Sequence, residues 1–124
     1  MADAAAAVVE LLDDVLAVPV YGGSFRGSPP GVLVRASGGG VLAAGWMPTV
    51  DVRVDVRAYG DTDWEAAEID RQAAVLLHNV RSTDTGHGLI RWCRIEGGPN
   101  QIRESDTGWT AVLSTWQVYG DWLD

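Results

Sequence analysis

The chain has 124 residues, with nine arginines, no lysine, seventeen Asp and Glu and a formal net charge of −8. That length suits one domain spanning residues 1–124 with a core of its own, and the ordinary apolar content excludes a wholly disordered chain. The acidic balance disfavours a nucleic-acid backbone as a ligand, because such binding needs clustered cations. Cys93 is the single cysteine, which rules out an intrachain disulfide and argues for folding in a reducing cytoplasm.

Taken in order, the first segment reads as a helix. Asp3 can cap it, and Ala5, Val8, Leu12, Val15 and Leu16 recur at spacings of three and four, with Leu11 widening the stripe. Pro19 ends it. Residues 20–31 carry four glycines and two prolines and read as a loop. A short strand, Val32-Leu33-Val34-Arg35, precedes a glycine-rich stretch. That stretch leads into Val41-Leu42-Ala43-Ala44-Gly45-Trp46-Met47-Pro48, which is apolar without a clean period.

Val50 to Tyr59 is the clearest element. Val50, Val52, Val54, Val56 and Ala58 alternate strictly with Asp51, Arg53, Asp55 and Arg57, the pattern of a half-buried strand with charges of alternating sign on its outer face. A second helix begins near Thr62, whose spacing from Glu65 is that of a capping box. Ile69, Ala73, Leu76, Leu77 and Val80 form its apolar face, and it fades over residues 79–82. Gly88 to Glu96 and Trp109 to Tyr119 read as two further strands joined by a long loop over residues 97–108. The expected fold is α+β. It is a two-layer sandwich in the order α-β-β-α-β-β, with a four-stranded antiparallel sheet carrying two helices on one face.

Candidate chemistry is sparse. Gly22-Gly23-Ser24-Phe25-Arg26-Gly27 lacks the Gly-Lys-Ser/Thr ending of a phosphate loop. His78 and His87 are the only histidines, too few for a catalytic metal, and Cys93 shares a strand face with apolar residues, as a packed thiol would. No catalytic residue, metal or cofactor is expected. No positively charged region precedes the first apolar stretch, and no apolar run approaches the ~18 residues of a membrane span, so neither a secretory signal nor a membrane partner is expected. Six tryptophans remain, of which Trp46 and Trp122 suit an interface.

The ordered features resemble a family. A helix leads to Val18-Pro19-Val20-Tyr21-Gly22, and Val32-Leu33-Val34-Arg35 precedes a glycine-containing loop. Met47-Pro48-Thr49 then opens the alternating strand that runs to Gly60, followed directly by an acidic helix. Gly97-Gly98-Pro99, Asp106-Thr107-Gly108 and a closing strand from Thr110 to Tyr119 complete the series. Over nearly the whole chain this is similar to the tail terminator (tail completion) proteins of long-tailed bacteriophages, particularly those of actinobacterial hosts.

The resemblance implies a structural virion protein made in the host cytoplasm and located at the head-proximal end of the tail. It forms a homo-oligomeric ring, expected to be a hexamer, that caps the tail tube, stops its polymerisation and joins it to the head–tail connector or stopper protein. DNA passes through the ring without specific binding. The resemblance also places the sheet toward the channel. Asp51, Arg53, Asp55 and Arg57 then become candidate channel residues, and the acidity of the subunits would discourage DNA from sticking. Ring closure needs two complementary patches per subunit. Val41, Leu42, Trp46, Met47 and Trp122 are candidates for subunit contacts, and the loop over residues 97–108 for a second patch. Two other functions fit the sequence: a head-completion or stopper protein of the neck, and a small acidic inhibitor or immunity protein that masks a basic partner.

Overall fold

In a computed structural model that describes residues 4–38 and 49–122, helices lie on one face of a single sheet. The elements are α1 (Ala4–Asp13), β1 (Val20–Gly22), β2 (Gly31–Gly38), β3 (Thr49–Gly60), α2 (Asp63–Asn79), β4 (Thr83–Thr85), β5 (Gly88–Arg103) and β6 (Thr110–Trp122). The strand order is β1-β2-β3-β6-β5-β4, and the sheet curls into a half-barrel. β1 runs parallel to β2, and the other neighbours are antiparallel.

The expected four-stranded antiparallel sandwich is therefore corrected to a mixed α+β fold with a six-stranded sheet. The two added strands, β1 and β4, are three residues each, too short to show a period. β5 also continues through Gly97-Gly98-Pro99 to Arg103 instead of stopping at Glu96. The expected loop over residues 97–108 shrinks to a turn closed by Gly108 N–H donating to Glu104 O at 2.8 Å.

β3 organises the sheet. It pairs with β6 from Thr49↔Asp121 to Gly60↔Thr110, while Gly31 to Gly38 of β2 pair along its other side. Val54, Val56 and Ala58 are buried with Val32 and Val34 of β2 and Trp116 and Val118 of β6. Ala7, Val8 and Leu12 of α1 and Ile69, Ala73 and Leu77 of α2 close over them. On β5 a register shift between Ile90 and Trp92 places Ile90 and Cys93 on the same, helix-covered side. Strict alternation would have separated them, and the bulge supplies the extra residue that brings them together.

α2 starts as its sequence dictates. Thr62 is the N-cap and accepts from Glu65 N–H at 3.1 Å, and Glu65 Oε1 accepts in turn from Asp61 N–H at 2.7 Å. The chain passes from β3 into this helix through Gly60, where a Cβ would stand 2.4 Å from Ala66 N. Gly60→Ala is expected to lose about 1–3 kcal/mol in urea denaturation, because the backbone of α2 must move. Gly97→Ala, whose added Cβ would meet Thr115 at an ordinary 4.0 Å, is expected to stay within about 0.5 kcal/mol of the parent.

Candidate functional site

The sheet face opposite the helices has a polar centre. β3 brings Arg53, Asp55 and Arg57 to this face, where β5, the β5–β6 turn and β6 supply their partners. Arg53 Nε lies 3.0 Å from Glu96 Oε2, Arg57 Nη1 lies 2.6 Å from Glu104 Oε2, and Thr115 Oγ1 donates to Asp55 Oδ1 at 2.9 Å. Farther along, Arg91 Nη2 lies 2.6 Å from Asp121 Oδ2, and Arg94 Nη2 donates to Gln117 Oε1 at 2.9 Å. Tyr119 donates to the same Gln117 oxygen at 2.8 Å and stacks on Trp92 with ring centres 4.0 Å apart. Three of the four candidate channel residues thus share one surface. Asp51 pairs with Tyr119 in the β3–β6 ladder, and its side chain lies outside the described residues.

One end of this face is closed by aromatic rings. Tyr59 and Leu33 are buried with Ala111. Phe25 reaches over them from the glycine-rich loop, its ring 4.8 Å from that of Tyr59, 5.0 Å from Tyr21 and 5.6 Å from Trp109. Gly31 permits this, since a Cβ there would meet the Phe25 ring at 2.7 Å. Phe25 thus gives residues 20–31, expected to be a loop, a packing role. At the margin of the cluster Tyr59 O–H donates to Glu104 at 2.9 Å. Burial pushes the Tyr59 phenol up, and the Arg57 guanidinium, held first by its contact with Tyr59 and also by Glu104, is raised as well.

Charge is divided between the two layers. Residues 4–16 and 61–79, the helices with their flanks, hold eight carboxylates against Arg71 alone. The open sheet face holds Arg35, Arg53, Arg57, Arg91 and Arg94 with Asp55, Glu96, Glu104 and Asp121 among them. The net negative charge of the chain is thus a property of the helix layer. Exposed ion pairs of this kind add little stability, about 0–1 kcal/mol each. What they set is the surface potential.

Among the subunit-contact candidates, Val41, Leu42, Trp46 and Met47 lie outside the described residues. Trp122 ends β6 opposite Gly88, and its side chain lies outside them too. Sequence reasoning missed Trp64, which is 76 % exposed in the first turn of α2. Its eleven-residue spacing from the exposed Val75 puts both on the outer stripe of the helix, a signal that was available.

It also missed Asp70. This carboxylate is 6 % exposed, on the sheet side of α2. Trp116 Nε1 donates to Ser114 Oγ at 3.0 Å, and Ser114 Oγ donates to Asp70 Oδ1 at 3.2 Å. Burial raises the Asp70 carboxyl above the usual aspartate range, and the bond from Ser114 offsets this only in part. Cys93 is a packed thiol, 5 % exposed and pushed up to about 12 by burial, so it holds no thiolate at neutral pH. Among the described residues no group of three His, Cys, Asp or Glu side chains stands where it could hold a metal, and no helix is long and apolar enough to cross a membrane. No protein-family model matches the chain, and no curated protein matches it.

Asp70 generates a pH prediction. Its proton is held more tightly in the folded chain than in the unfolded one. The ionised carboxylate therefore costs stability above its raised value, and this cost fades as pH falls from there to the ordinary aspartate range. Asparagine can still accept from Ser114 and never ionises. The melting temperature of Asp70→Asn, relative to the parent, is expected to be more favourable at about pH 8 than at about pH 4. A flat or reversed difference in thermal scans would show that the buried carboxyl is not what titrates.

Proposed function

We propose that the chain is a ring-forming subunit of a long-tailed bacteriophage virion. The ring, a hexamer in this proposal, caps the tail tube, ends its polymerisation and joins it to the head–tail connector, with the open sheet face toward the channel and the helices outside. The sequence resemblance supplies the architecture. The observation that carries the proposal is the open face itself, a broad curled surface without helix cover among the described residues, on which Arg53, Arg57 and Arg91 are matched by Glu96, Glu104 and Asp121.

The physical consequence differs from a simply acidic channel. Polyanions gain affinity by releasing counterions when they meet cations. Arg53, Arg57 and Arg91 already have their counter-charges on Glu96, Glu104 and Asp121, and these carboxylates are covalently held and cannot be released. DNA sliding past such a face gains little from any one contact, which suits passage without specific binding. The acidity expected to discourage DNA from sticking belongs mostly to the helix layer, which this proposal places outside the channel. Ring closure still requires two unlike patches, and Val41, Leu42, Trp46, Met47 and Trp122 remain the proposed contacts.

One observation favours a different function. The carboxylate-rich helix layer would suit a one-to-one inhibitor of a basic protein. Electron microscopy of the chain mixed with its virion's tail components separates the two. Ring density at the head-proximal end of the tube is expected. Density elsewhere in the neck would assign a stopper or head-completion role, and no incorporation at all would overturn the virion proposal and leave the inhibitor.

A further inference from the structure

An open crevice of about 390 Å³ lies between α2 and the β5–β6 hairpin, a volume at the lower end of ligand pockets. Its walls are Ala67 and Ala74 on the helix and Ile95, Pro99 and Val112 on the sheet, and Asp70 lines it. The two alanines leave the room. Ile95, paired with the buried Trp116 and so on the helix-covered side, is nevertheless 41 % exposed, because nothing among the described residues fills the space above it.

Among the described residues the polar groups of the crevice are disposed so that Asp70 meets no cation. Arg71, which also lines it, is turned onto Glu68 through both Nε and Nη2. The Gln101 amide donates to Thr110 Oγ1 at 3.2 Å. Among the described residues Asp70 therefore takes one hydrogen bond, from Ser114, whereas an ionised carboxylate offers about four acceptor positions. A carboxylate 6 % exposed in apolar surroundings is costly without a counter-charge.

We propose that this crevice is a docking site for an arginine side chain presented by a partner protein. The three methylenes of the arginine lie along Ile95, Pro99 and Val112, and its guanidinium meets the open side of the Asp70 carboxylate. Charge complementarity selects a cation. The weak hydration and planar fork of guanidinium suit a desolvated carboxylate better than an ammonium does. The site requires nothing of the ring proposal and would exist in a chain that never assembles.

The test is an NMR titration of the full chain with acetyl-alanyl-arginyl-alanine amide, with the citrulline peptide as its neutral isostere. The arginine peptide is expected to give saturable shifts at the amides of Ala67, Ala74 and Ile95, and the citrulline peptide none. Asp70→Asn, which keeps an acceptor for Ser114, is expected to weaken binding about tenfold or more. Ala74→Leu, which fills the crevice and leaves the carboxylate, is expected to weaken it as well, and Asp70→Asn decides alone if that variant fails to fold. Equal shifts from the two peptides, unchanged affinity in Asp70→Asn or no saturable shift from the arginine peptide would each overturn the proposal. Because the isolated chain is used, failure here leaves the virion proposal standing.

Discussion

β3 is paired along its length with β6 and over much of it with β2, so the alternation of its side chains is imposed on the middle of the sheet. Residues directly opposite in register project to the same face. Placing Val54 and Val56 inward brings Trp116 and Ser114 to the core and leaves Arg53, Asp55 and Arg57 outward beside Gln117, Thr115 and Leu113. A slip of one residue would bury three charges and expose the valines, so the register is strongly specified. Both helices then have one surface on which to bury their apolar stripes.

The chemistry of the two sides follows. The open face collects arginines and pairs three of them with carboxylates, and the helix layer takes most of the net negative charge. Neither distribution is needed for stability, since exposed pairs contribute little. Their common effect is electrostatic, with a nearly balanced sheet face backed by an acidic outer layer. The covered face is not wholly apolar. The relay from Trp116 through Ser114 to Asp70 satisfies the indole N–H inside the core and leaves a carboxylate facing a crevice that no described residue fills.

Much of this was legible in the sequence, for identifiable reasons. β3 shows period two over ten residues, and the Thr62–Glu65 spacing fixed the start of α2, because both signals are local. β1 and β4 left no trace, since three residues cannot show a period and a parallel pair depends on a distant partner. β5 was cut short because Gly97-Gly98-Pro99 imitates a terminating turn, whereas the strand absorbs it through register shifts. The charged face could be read from Arg53, Asp55 and Arg57, but their partners Glu96 and Glu104 lie 43 and 47 residues away, and only cross-strand register brings them near. Phe25 was hidden by the glycines that let its loop fold over the sheet. Asp70 had a visible signal, since Ala66, Asp70, Ala73 and Leu77 fall on one helical face. The sequence reading does not single out the polar residue among them.

The central claim is that the face carrying Arg53, Asp55 and Arg57 becomes the inside of a closed ring. Cysteine labelling in assembled virions tests this most directly. In a Cys93→Ala background, Asp55→Cys on the sheet and Glu68→Cys on the outer stripe of α2 would each be exposed to a maleimide carried on a long polyethylene glycol chain, before and after assembly. Both cysteines should react in the free subunit. After assembly, Asp55→Cys should be protected and Glu68→Cys should still react. Equal labelling of the two in virions, or protection of Glu68→Cys alone, would contradict a channel-facing sheet.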